Sequence, residues 1–377
     1  MGRSSGPGDA LKFTFSNLPA TGWALPAGRI ADLARLAEQV GFDRFAIADL
    51  PYHYDCMTVM TACLLATERL EVESLVTNPY TRDPGLVAAA WATMSSLSDG
   101  RAILGIGGGV ESATRVYVSP WSHERPHPAR AVREAAAVYR AMWRGEKVTL
   151  DGEIVHVHGA TLDCPLPPPI KILVAARGPA MLKLAGEIAD IAHLASLFLD
   201  TEHQRDNIRA VRAGARGAGR EARALEIDLS VTVSVLPDRA AARRDAKRNA
   251  AQTILWMAGT DSHNARRTDW QRPVGFDVDE TLIRAITTGW DMWHVPELPA
   301  ELEAMIDDAT LDRFAVAGTP DECADRLRAI ARDLPEATGF RVKLPRPVRA
   351  ASYADYEDAL RGMGEVIASL REAPAVI

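Results

Sequence analysis

The stretch Leu75-Val76-Thr77-Asn78-Pro79-Tyr80-Thr81-Arg82-Asp83-Pro84 reads as a strand end running into a polar loop. After one helical segment, Ser98-Asp99-Gly100-Arg101-Ala102-Ile103-Leu104-Gly105-Ile106-Gly107-Gly108-Gly109 reads as a second strand that opens into a glycine-rich loop. This βαβ unit places backbone and small polar groups at the carboxyl ends of two parallel strands, where α/β proteins hold ligands. Short β runs alternate with amphipathic helical stretches along the rest of the chain. Strands are expected at 11–15, 45–48, 70–76, 102–106, 170–175, 191–194, 227–236 and 340–344, with a small hairpin over 148–157 around Asp151-Gly152. Eight strands, mostly separated by helices, predict an α/β fold of the (β/α)8 TIM-like barrel class rather than an open sheet.

The stretch between the last two of these strands is too long for a plain crossover and carries Trp256, Trp270, Trp290 and Trp293. It reads as a helical, Trp-rich insertion at about 245–310, either packing on the barrel or against a second subunit, or covering the substrate. One domain over 11–377 is expected, preceded by a disordered tail over 1–10. A net charge of −7 argues against a nucleic-acid partner, which asks for a basic face. No apolar run is long enough for a membrane span, so no membrane partner is expected. Cys56, Cys63, Cys164 and Cys323 show no CxxC pairing and no His cluster, which predicts reduced thiols, a cytoplasmic setting and no metal.

Gly107, Gly108 and Gly109 follow a strand as a phosphate cradle does, because glycine lets backbone amides approach an anion closely. A tight turn is the equal alternative, and the dinucleotide spacing is missing. Ala176-Arg177-Gly178-Pro179 offers a second amide-rich turn, with Pro179 placed to start a helix. Asp49 ends the second strand, either as a functional carboxylate or as a turn cap. His53 lies just beyond it, as a proton donor or a solvent-facing side chain. Thr77 and Asn78 suit the carbonyls and ring nitrogens of a planar heterocycle, and Arg82 is a candidate ion-pair partner of Asp49. His123 and His127 sit in an irregular polar loop whose spacing makes no metal site.

These motifs resemble the luciferase-like monooxygenase superfamily, and within it the deazaflavin-dependent branch typified by methylenetetrahydromethanopterin reductase. The likeness rests on Val76-Thr77-Asn78-Pro79-Tyr80-Thr81-Arg82 and on Leu97-Ser98-Asp99-Gly100-Arg101 running into Leu104-Gly105-Ile106-Gly107. It continues through Arg133-Glu134-Ala135, Trp143-Arg144-Gly145-Glu146, Ala176-Arg177-Gly178-Pro179, Leu184-Ala185-Gly186-Glu187-Ile188-Ala189-Asp190 and Phe314-Ala315-Val316-Ala317-Gly318-Thr319-Pro320. The resemblance implies a TIM-like barrel with an insertion, usually a homodimer, that binds coenzyme F-420 or, alternatively, FMN at the strands' carboxyl end. It also implies a non-prolyl cis peptide at Leu75-Val76 behind the ring, with the cofactor's phosphate near Gly107, Gly108 and Gly109 and with Gly178 and Pro179 beside it.

Four positions depart from the branch. Ser16 stands where the reductase has a Glu, Leu50 where many relatives have His, Leu75 where a small residue precedes the bulge, and Arg177 where Gly or Gln is common. The expected activity is hydride transfer between the deazaflavin and a small-molecule substrate with a C=C, C=N or C=O bond. Asp49, His53 and His127 are the candidate proton donors. An FMN-dependent luciferase-like monooxygenase and a non-catalytic flavin- or deazaflavin-binding protein are the alternatives.

Overall fold

A computed structural model describes residues 11–16, 25–50, 54–109, 127–195, 198–258, 277–292, 294–295, 297–345 and 352–372. Eight parallel strands close into a barrel. They are β1 (Lys12–Phe15), β2 (Arg44–Ile47), β3 (Glu71–Ser74), β4 (Ala102–Ile106), β7 (Ile172–Ala176), β8 (Ile191–Leu194), β9 (Glu226–Val235) and β11 (Gly339–Lys343). Closure runs through β1 against β11, β11 against β9 and β9 against β8. β5 (Val148–Asp151) and β6 (His156–Ala160) form the expected hairpin, with a register shift between Val148 and Leu150.

The expected count of eight strands omits β10 (Ala315–Gly318), which pairs with the upper half of β9, Thr232 to Val235. The segment between β9 and β11 is therefore not purely helical. Its helix Pro320–Asp333 follows β10, and before β10 its described helices span Arg239–Met257, Glu280–Gly289, Ala300–Met305 and Asp308–Asp312. Together with β10 and Phe198 they bury a cluster of their own around Ile254, Ile286, Trp290 and Phe314. Trp290 is buried there, and its Nε1 donates to Val295 O and Glu297 O, both at 2.9 Å. Trp256 instead stands beside Lys343 at the barrel's end, while Trp270 and Trp293 lie outside the described residues.

The strands alternate with period two, and in a closed barrel one set of side chains faces the helices and the other the interior. Phe13, Phe15, Phe45, Val72, Leu104, Val174, Leu229 and Phe340 supply the outer, apolar layer. The interior divides by chemistry. On the β4, β7 and β8 side Ile103, Leu173 and Ile191 form an apolar patch, with Val76 packed on it. On the opposite side Arg44 meets Glu71 (2.8 Å), Asp228 (3.0 Å) and Glu226, while Arg341 meets Asp228 (2.9 Å) and Glu73. Lys12 (3.0 Å) and Lys171 (3.6 Å) add to Glu226. Burial by itself would raise Glu226, but Arg44, Lys12 and Lys171 hold it down to about 2. These charges sit in the amino-terminal half of the barrel. They fix the strands to one another and leave the carboxyl-terminal end for ligand.

Among the described residues no helix is long and apolar enough to cross a membrane, and no group of acidic, His or Cys side chains is placed to hold a metal ion. All four cysteines are free. Cys56, Cys63 and Cys323 are buried and Cys164 is exposed.

Candidate active site

At the end of β3 the chain leaves the ladder. Leu75 N still donates to Ile47 O (2.7 Å), the Leu75–Val76 peptide is cis as the resemblance implies, and Thr77 rejoins the sheet by bridging Ile106. The neighbouring glycines are explained by this bulge. A Cβ on Gly105 would meet Ser74 O at 1.9 Å, and one on Gly107 would meet Val76 Cγ2 at 2.8 Å, so only glycine lets β4 pass so close.

That use of the glycines changes the expected role of the loop. Gly105 N donates to Ser74 Oγ (2.9 Å) and Gly107 N to Thr77 O (3.0 Å), so these two amides serve the fold and are not presented to an anion. The turn after β7 differs. Gly178 has φ of +96°, nothing lies within 4 Å of a Cβ built on it, and Pro179 begins the helix Pro179–Ile188. An exposed helix start of this kind suits a phosphate. Arg177 beside it is exposed, and its Nε donates to Ala195 O at 3.1 Å. Ala176 is buried at the end of β7.

Asp49 and Arg82 form the expected ion pair, Nη2 to Oδ1 at 2.8 Å. The Asp49 side chain is only 5% exposed. Arg82 also reaches Asp55 at 3.3 Å, and Asp55 caps the helix Cys56–Ala66 by accepting from Thr58 N. Asn78 is buried, with its Oδ1 accepting from Tyr80 N at 3.0 Å. The Thr77 hydroxyl is buried and has no hydrogen-bond partner among the described residues.

His127 precedes the helix Pro128–Trp143 in a left-handed conformation, its side chain 67% exposed and 3.1 Å from Glu153. It faces the β5–β6 hairpin and not the barrel interior. His53 and His123 lie outside the described residues. The structure thus gathers Asp49, the 75–78 bulge, Gly107 to Gly109 and the 176–179 turn at one end of the barrel, with His127 at its outer edge.

One residue belongs with this group although no motif singles it out. His193, on β8, is buried; its Nε2 lies 2.7 Å from Ser230 Oγ, and its Nδ1 has no partner among the described residues. Burial, with a smaller contribution from Arg177, lowers it to about 3, so the imidazole is neutral at physiological pH. Its signal in the sequence is a lone polar residue in Ile191-Ala192-His193-Leu194, at a position that shares the inward phase of Ile191. Val76, partly exposed after β3, packs on the fully buried Ile103, Leu173 and Ile191 of the barrel interior, and further toward the carboxyl end stand the Thr77 hydroxyl and the His193 Nδ1, both without a partner among the described residues. A planar heterocycle with polar edges fits such a surface.

Comparison with known proteins agrees with this geometry. The profile of the luciferase-like monooxygenase family matches residues 11–336. The chain is similar to 5,10-methylenetetrahydromethanopterin reductase of Methanolobus tindarius, 29% identical over 81% of this chain and 87% of that protein. It is also 33% identical to the F-420-dependent glucose-6-phosphate dehydrogenase of Beutenbergia cavernae, over 78% of this chain and 80% of that one. Among solved structures, the coenzyme F-420-dependent tetrahydromethanopterin reductase from Methanopyrus kandleri superposes with a TM-score of 0.74 at 25% identity, covering 96% of this chain and all of that one. With the family profile spanning nearly the whole barrel, this chain belongs to the luciferase-like monooxygenase family.

Proposed function

We propose that this protein is a coenzyme F-420-dependent oxidoreductase that moves a hydride between the deazaflavin and a small organic substrate with a C=C, C=N or C=O bond. The observation that supports the reading is the partly exposed Val76 at the carboxyl end of β3, together with a Thr77 hydroxyl and a His193 Nδ1 that have no partner among the described residues. Relatives that cover most of this chain are named as F-420-dependent enzymes. Bound coenzyme F-420 would supply the hydride chemistry from its own ring.

The chain's residues do the rest. Leu75 and Val76 back the ring, while Thr77, Asn78 and neutral His193 offer hydrogen bonds to its edge. The Gly178–Pro179 helix start, with Gly108 and Gly109 after the adjacent strand β4, would hold the phosphate, and Arg177 would supply a cation for an anionic tail. Asp49, held by Arg82, is the described candidate for moving the proton that accompanies the hydride; His53, outside the described residues, and His127, at the outer edge, are the other candidates.

Exposed Leu65, Leu86 and Leu97, on the helices Cys56–Ala66 and Pro84–Ser98, support a homodimer through this face. Free, mostly buried thiols suit the reducing cytoplasm. Titration with coenzyme F-420 and separately with FMN, followed by cofactor fluorescence, tests the central reading. Micromolar binding of the deazaflavin supports it, preference for FMN replaces it with oxygen chemistry, and binding of neither removes it.

A further inference from the structure

A second feature lies at the same end of the barrel, on the charged side of its interior. A cavity of about 60 Å³ opens there, lined among others by Ser16 after β1, Arg341 and Lys343 on β11, and Thr253 and Phe314 of the segment that follows β9. A cavity needs roughly 10–15 Å³ to hold one water. This one therefore admits a carboxylate or a phosphate group but no whole substrate.

None of the lining residues carries a carboxylate. Lys343 ends β11 in register with Thr232, and its Nζ lies over the Trp256 ring, 5.2 Å from the centroid. Among the described residues it has no carboxylate within ion-pair distance. Burial, and then the positive charge of Arg248 on the helix Arg239–Met257, lowers it to about 8. Two residues earlier on the same strand, Arg341 gives its terminal nitrogens to Glu73 and Asp228. Its Nε is buried and has no partner among the described residues. The cavity thus has one lysine facing another cation, and one N–H donor that has no acceptor among the described residues. A half-buried cation without a counter-charge is unfavourable, and an anion placed between these groups relieves it.

We propose that this cavity is an anion-recognition pocket that receives the carboxylate or phosphate end of the substrate, with Lys343 as its charge and Arg341 Nε and the Ser16 hydroxyl as its further donors. The pocket sets substrate class on the reading of the protein as an F-420-dependent oxidoreductase. It also gives Ser16 a reason: a carboxylate at that position would fill the anion's place and repel it.

The test is calorimetric titration of the full-length protein, saturated with coenzyme F-420, with inorganic phosphate and, in a separate arm, with acetate at constant ionic strength. Saturable binding is expected in at least one arm, and the tighter arm identifies the group. Lys343→Met should weaken it about tenfold or more, the loss of one charge-assisted contact, while Lys343→Arg should restore most of it. Raising the pH from about 7 to about 9.5 should weaken acetate binding by the wild type about tenfold and leave Lys343→Arg unaffected, because arginine stays charged. Absence of saturable binding in both arms, or equal binding by folded Lys343→Met, overturns the pocket. Coenzyme affinity is measured on every variant. A protein that fails to bind the coenzyme but binds an anion through Lys343 sinks the oxidoreductase reading and keeps the pocket. Coenzyme binding without a Lys343-dependent anion sinks the pocket alone.

Discussion

The Val76 side chain occupies the space that a Cβ on Gly107 would need: its Cγ2 lies 2.8 Å from that position. Val76 is β-branched and has one rotatable bond, so it has little freedom to swing away. Gly107→Ala should therefore destabilise the protein by about 1–3 kcal/mol, as overpacking does. Adding Val76→Ala should recover part of the loss, with the double variant more stable than the sum of the singles by about 1 kcal/mol. Urea denaturation of the four proteins reads this directly. Additive losses would mean that the two side-chain positions do not meet.

The barrel's eight strands are legible because each is a short β run between helical periods and turn signals. The bulge and the Asp49–Arg82 pair are legible through the family motif and through strand-end placement. β10 escapes because Ala315-Val316-Ala317-Gly318 is too short to show a period and lacks β-branched residues at three of its four positions. The interior ion network escapes for a different reason. Alternation such as Lys12-Phe13-Thr14-Phe15 reads as one buried and one solvated face, whereas in a closed barrel the polar face is buried too. Glycine-rich loops are ambiguous in sequence because close packing and ligand approach both select glycine. Only the partner of the Gly107 amide, Thr77 O, separates the two uses at that position.

Arg82 ties the end of β2 to the first turn of the helix Cys56–Ala66 through Asp49 and Asp55. Asp49→Ala leaves it only the more exposed Asp55, beside an Nε that already lacks a partner among the described residues. A loss of about 1–3 kcal/mol is expected in thermal denaturation. Asp49→Asn retains an acceptor oxygen and should cost less. If Asp49 moves the proton in turnover, Asp49→Asn lowers kcat about 100-fold or more with coenzyme affinity unchanged. An unchanged kcat would leave Asp49 with the ion pair as its whole role.

His193 should not titrate across the physiological range. Burial, then Arg177, lowers it to about 3, below the roughly 6.5 of an unfolded histidine. The fold favours the neutral ring, so its contribution to stability is complete above about pH 6.5 and declines as pH falls toward 3. The imidazole signals in NMR should stay fixed between about pH 5 and 8. Relative to His193→Asn, wild-type stability should fall by at most about 1.4 kcal/mol per pH unit below 6.5. An inflexion near 6.5 in the His193 resonances would show the ring to be open to water.

The direction with pH is the same for Glu226, although there the fold favours the charged form. Arg44, Lys12 and Lys171 overcome the effect of burial and hold it at about 2, well below the ordinary glutamate near 4.3. Its contribution is therefore present above about pH 4.3 and is lost as pH falls through 2. Glu226→Gln at neutral pH removes a charge from fully buried Arg44, whose remaining partners are Glu71 and Asp228, and should cost about 3 kcal/mol. The gap between wild type and variant should then narrow between about pH 4.3 and 2, because the protonated wild-type side chain no longer differs from glutamine in charge. Denaturant unfolding at stepped pH measures that gap. A gap that stays constant down to pH 2 would mean that Glu226 holds the strands by shape and hydrogen bonding, and that the charge itself contributes nothing.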